Sequence, residues 1–163
     1  HALNLYLRGS VFEMRDQARA MFATSGGEIT TYDAQGAARD ETIPADQNIV
    51  IDDDSDFVGN PFSVHGSVDA HWLAGEVYEY FRALGRNSLD NNGMDIVSLI
   101  DAGDVEGGPL FNASWNGSYV VYGNPDTSQL YPFSAAADVV GHELTHGVTD
   151  FSAGQSRSVN RGQ

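Results

Sequence analysis

The chain has 163 residues, 41% of them apolar, which is enough to bury a core within one domain. Acidic residues outnumber basic ones 23 to 8, and the net charge of −15 opposes nucleic acid, whose phosphates such a surface repels. Without cysteine there are no disulfides or thiolate metal sites, and no apolar run is long enough to span a bilayer. Every basic residue is arginine, and acid excess without lysine fits a surface kept hydrated in a salty medium, or one that binds cations. The opening His1-Ala2-Leu3-Asn4 has neither an initiating Met nor a basic region, so it reads as a processed product or an excised piece rather than a signal peptide.

Residues 1–50 read as strands and turns. Leu3, Leu5 and Leu7 alternate with polar neighbours, and Met21 to Ala23, Ile29 to Tyr32 and Asn48 to Ile51 are short strand candidates. Asp52-Asp53-Asp54-Ser55-Asp56 is a dense acidic loop. It could gather oxygen ligands for calcium, but it lacks the glycine and distant glutamate of a helix-loop-helix site and reads first as a solvated run.

Ser67 to Leu84 has helical spacing, with Leu73, Val77, Tyr80, Phe81 and Leu84 on one stripe. Ser67 is the expected N-cap, Gly85 the stop, and Glu79 and Arg82 can pair on the wet side. His71 could be offered to a metal, but nothing faces it, so it is expected to pack in the helix and satisfy a backbone group. Asp90-Asn91-Asn92-Gly93 forms a turn, Ile96 to Ile100 a strand, and Gly103 to Pro109 another turn. Asn116-Gly117 then closes a hairpin between the stretches around Ser114 and Val120.

The last element is the chemically informative one. Ala135-Ala136-Ala137 favours helix, Ser134 is the expected N-cap, and Val140, Leu144, Val148 and Phe151 make an apolar side. Gly154 is placed to stop the helix. Gly141 and Gly147 within it each weaken it by roughly 1 kcal/mol relative to alanine, so a close approach of a sheet or of the metal-site backbone is expected to offset them. From another side project His142 and His146, with Glu143 between them in sequence, in the pattern His-Glu-x-x-His. Imidazoles one turn apart supply two metal ligands from one rigid element. A hydrolytic zinc site takes three protein ligands and leaves one position for water, which Glu143 can deprotonate as general base. The bland alternative is a helix that merely hydrogen-bonds two histidines. Thr149 and Ser152 stand where a Gly-x-x-His continuation would need glycine and histidine, so the third ligand must come from another element.

Four stretches in order carry a family resemblance: Val68-Asp69-Ala70-His71, Asn112-Ala113-Ser114-Trp115-Asn116-Gly117, Val121-Tyr122-Gly123, and Asp138 through Asp150. Together they resemble the thermolysin-like family of secreted neutral zinc endopeptidases, most closely from Val68 to Gly154. The resemblance implies zinc on His142 and His146, Glu143 as general base, and a cleft lined by Asn112, Ala113 and Trp115, where an extended peptide adds to a sheet edge. It also implies a calcium ligand at Asp138 and secretion to the extracellular medium. Ser114 replaces an aromatic residue of the family, which loosens the cleft edge. The family's third ligand, a glutamate twenty residues after the second histidine, falls past Gln163, and 155–163 form a polar tail that departs from the family.

The expected fold is therefore α+β: an N-terminal, mostly antiparallel twisted sheet with a helix, ending in a central helix that carries the zinc motif, all within 1–154. The expected function is hydrolysis of internal peptide bonds, with protein or peptide as partner and neither nucleic acid nor membrane. As 163 residues alone the chain is expected to be incomplete and inactive, the third ligand belonging to a missing C-terminal domain or a second chain. The alternative is a non-catalytic remnant or binding module that keeps the fold and calcium.

Overall fold

A five-stranded sheet sets the position of everything else. In the computed structural model, residues 3–38, 49–52, 66–123 and 132–153 are described. The chain runs β1 (Tyr6–Arg8), β2 (Val11–Glu13), β3 (Arg15–Asp16), α1 (Ala20–Ser25), β4 (Ile29–Asp33), β5 (Ile51–Asp52), α2 (Ser67–Ala83), β6 (Ile96–Ala102), β7 (Ala113–Trp115) and β8 (Val120–Gly123). A 3-10 turn at Phe133–Ala135 then leads into α3 (Ala137–Ser152).

The main sheet has the order β3-β4-β6-β8-β7, and β1-β2-β5 form a smaller one. Both pairings in the small sheet and both edges of the large one are antiparallel, so most pairings are of the expected kind. At the centre, β4–β6 and β6–β8 are parallel. The central strand β6 is buried along nearly its whole length, as a strand covered on both faces is. Successive residues serve opposite faces. Ile96, Ile100, Val120 and Tyr122 join Val140 and Leu144 of α3 and Leu73 and Tyr78 of α2 in one core, while Val97, Leu99, Tyr119 and Val121 form a second.

Three local expectations are corrected. Met21 to Ala23 lie in α1, not in a strand. Ala20, Met21 and Ala23 are good helix formers, Gly26 at φ 80° caps the end, and the Met21 N–H donates to the Tyr78 hydroxyl at 3.0 Å. The N-cap of α2 is Gly66 at φ 84°, with Ser67 buried as the first helical residue, and that of α3 is Ala136, because Ser134 lies within the preceding 3-10 turn. The buried face of α2 is Ala70, His71, Leu73, Ala74, Gly75 and Tyr78, whereas Tyr80 and Leu84 of the expected stripe are exposed. Small residues let the helix approach its neighbours: a Cβ on Gly75 would stand 2.3 Å from the Arg19 guanidinium.

Other expectations hold. Glu79 and Arg82 pair at 3.2 Å, Gly85 ends α2 at φ 87°, and the turns at Asp90 and Asn116 are closed by their own side chains accepting backbone N–H groups. The acidic run from Asp53 on and Gly154 with the tail lie outside the described residues.

Candidate metal centre

Helix α3 carries the site because three of its faces do different work. Val140 and Leu144 are fully buried against the sheet, each contributing about 1.5–3 kcal/mol relative to exposure. His142 and His146 are on the exposed side, and Glu143 lies between, buried. The two imidazole Nε2 atoms are 3.0 Å apart, with ring centroids 4.6 Å apart and planes at 87°. Two nitrogens bound to one tetrahedral zinc at ~2.0–2.1 Å stand about 3.3 Å apart, so the pair fits that ion after a shift of a few tenths of an ångström. Among the described residues, no third His, Cys, Asp or Glu joins them.

Glu143 is fixed by the edge strand. Its Oε2 accepts the backbone N–H of Trp115 at 2.8 Å in a buried contact. The indole N–H of the same Trp115 donates to Asp150 Oδ2 at 2.9 Å. Ala113, Ser114, Trp115, Glu143, His146 and Asp150 line a cleft of about 250 Å³. Beneath it, burial pushes the Tyr122 phenol up in pKa; the nearby Ser98 hydroxyl acts the other way and the charge of Glu143 adds to the rise. The two hydroxyls do not meet in hydrogen-bond geometry, so both are buried and unpaired among the described residues.

The cleft thus brings together Glu143, His146, Ala113 and Trp115, with His142 beside His146. Asn112 sits just before β7, exposed, its carbonyl accepting the Gly123 N–H at 2.9 Å. Asp138 stands exposed in the first turn of α3, where a carboxylate favours the helix dipole. His71 is apart from the site: Nδ1 meets Thr31 Oγ1 at 3.0 Å and Nε2 meets the Asn4 carbonyl at 3.1 Å. Burial lowers its pKa to about 4, as expected of a packing histidine rather than a ligand. Asp150 was not assigned a role from sequence. Its spacing of seven from Glu143, two turns along one face, was the available signal.

Gly147 confirms one expectation and Gly141 does not. A Cβ on Gly147 would stand 3.0 Å from Leu89 Cδ1 and 3.3 Å from two carbons of the Trp115 ring, so the glycine lets the side chains of Leu89 and of Trp115 on β7 pack closely against α3. Nothing lies within 4 Å of the corresponding point on Gly141.

Residues 1–150 match the profile of the thermolysin metallopeptidase catalytic domain. The chain belongs to that family. It is 37% identical to bacillolysin of Bacillus cereus over 153 residues, 93% of this chain and 24% of that protein. It is 41% identical to thermolysin of Alicyclobacillus acidocaldarius subsp. acidocaldarius over 132 residues, 80% of this chain and 22% of that protein. Among solved structures, the precursor of protealysin, a metalloproteinase from Serratia proteamaculans, superposes with a TM-score of 0.58 at 31% identity, covering 76% of this chain and 34% of that one. The chain therefore spans about a quarter of the curated relatives named here.

Proposed function

We propose that this chain carries the metal-binding helix and substrate-docking strand of a secreted zinc endopeptidase. The observation that supports it is the convergence of His142 and His146, 3.0 Å apart, with a buried Glu143 under the edge strand β7. Zinc held by the two imidazoles would supply Lewis-acid chemistry and acidify a water molecule. Glu143 would take the proton of the attacking water and return it to the leaving amine, held in place by the Trp115 N–H.

Strand β7 presents the substrate edge. Gly123 N–H donates to the Asn112 carbonyl and Asn116 N–H to the Tyr119 carbonyl, so with this register Ser114 bonds inward to Val121. Ala113 and Trp115 point their backbone groups outward. The Trp115 N–H is taken by Glu143, which leaves the carbonyls of Ala113 and Trp115 and the Ala113 N–H for an added peptide strand. Asn112 would flank that strand. Calcium at Asp138 and an acidic third zinc ligand from outside the described residues belong to the same reading, on the family resemblance.

The test is casein cleavage by the protein that contains this chain, with and without a zinc chelator. Chelator-sensitive cleavage that disappears in Glu143→Gln supports the reading; cleavage unaffected by that substitution would overturn it. For the 163 residues alone, weak zinc retention and no turnover are expected, and stoichiometric zinc with chelator-sensitive turnover would contradict that expectation.

A further inference from the structure

We propose that Asp150 is a positioning residue: it holds the edge strand β7, through the Trp115 indole, in the place where the Trp115 backbone N–H meets Glu143. The outward-facing Trp115 amide is one of the groups that β8 does not engage, so strand pairing alone does not fix where it points. Two bonds from one residue fix it instead. The backbone N–H reaches Glu143 at 2.8 Å and the indole N–H reaches Asp150 at 2.9 Å. The two carboxylates are seven residues apart on α3, about 10 Å along the axis, so the strand is pinned at two separated points rather than pivoting on one.

Gly147 completes the seat. Positions 143, 147 and 150 share a face, and the indole passes close over Gly147: a Cβ there would lie 3.3 Å from ring atoms Cζ2 and Cη2, tight enough that the ring would have to shift. An indole N–H left without its acceptor in this half-buried place must find water, and the ring then tilts off its seat. The tilt draws the amide from Glu143. Calling the clamp's purpose catalytic rests on the peptidase reading above, whereas the clamp itself needs neither zinc nor turnover.

Amide hydrogen exchange on the 163-residue chain tests it, comparing the Trp115 amide with the Ser114 amide, which bonds inward to β8. In Asp150→Ala the Trp115 amide is expected to exchange roughly fivefold to tenfold faster while Ser114 stays unchanged. Asp150→Asn keeps an acceptor oxygen for the indole and is expected to restore the slow rate. Trp115→Phe keeps the backbone N–H but loses the indole donor, so it should match Asp150→Ala, with no further acceleration in the double variant. An unchanged Trp115 rate in Asp150→Ala would overturn the proposal. So would equal acceleration of Trp115 and Ser114, which would mark Asp150 as merely structural. Because this readout involves no metal or substrate, it can fail while the peptidase reading stands, and the reverse also holds.

Discussion

Replacing Gly141 and Gly147 by alanine, one at a time, tests how tightly α3 is seated. Both positions are helical, and alanine there favours the helix by about 0.8–1.0 kcal/mol. At Gly141 a new methyl meets nothing within 4 Å, so the whole gain is expected to appear as stability, raising Tm by roughly 2–4 °C. At Gly147 the methyl would press on Leu89 at 3.0 Å and on the Trp115 ring at 3.3 Å. Leu89 is fully buried and cannot swing away, so an overpacking cost of about 1–3 kcal/mol opposes the same helical gain. Gly147→Ala is thus expected to lie between neutral and about 2 kcal/mol destabilised. Urea unfolding measures both: the midpoint should rise for the first and stay or fall for the second, with the slope unchanged. Equal stabilisation by the two substitutions would refute the close approach of β7 and Leu89 to α3.

Leu144→Ala, at a fully buried position, is expected to cost about 2–5 kcal/mol, measured in the same urea series. Tyr122→Phe removes a buried hydroxyl that has no partner among the described residues, so it should leave stability unchanged or raised; a loss above about 1 kcal/mol would show a partner beyond those described. Tyr78→Phe is the contrast, since its hydroxyl accepts the Met21 N–H, and should cost about 1–3 kcal/mol. His71 gives a pH dependence. Its folded pKa, about 4, lies below the unfolded value of 6.5, so its neutral form contributes fully above pH 6.5. That contribution is lost as pH falls from 6.5 towards 4, to a total of about 3 kcal/mol. Asp16 and Arg19 act on it in opposite directions and their effects offset in part. Unfolding free energies at pH 7.5 and 4.5 should differ more in the parent chain than in His71→Gln; an equal difference would exclude this histidine.

Much of this was legible locally. The Asn116-Gly117 hairpin and the Asp90 turn each depend on residues within a few positions of one another and formed as read, and the His-Glu-x-x-His helix formed too, though with Ala136 rather than Ser134 as N-cap and with Phe151 of its expected apolar side exposed. The packing role of His71 was legible too, because nothing near it in sequence offered a second ligand. What escaped depends on distant partners. The parallel centre of the sheet pairs β4 with β6 across the whole of α2, and a run such as Ile96–Ile100 shows a buried strand but not its neighbour. The buried face of α2 was misplaced because large apolar residues were weighted over Ala70, Ala74 and Gly75, the small residues that allow close approach. Asp150 meets Trp115 across 35 positions, and its spacing of seven from Glu143 marks a shared helix face but not that partner.

The central claim is that α3 offers a paired imidazole site to zinc, and a zinc titration of the 163-residue chain followed through its histidine ring signals tests it most directly. His142 and His146 are expected to shift together only as zinc is added in excess over the chain, as befits a site with two ligands, while His71 stays still, a chelator reverses the change and His142→Ala abolishes it. Ring signals of His142 and His146 that do not respond, or zinc binding that survives His142→Ala unchanged, would contradict it.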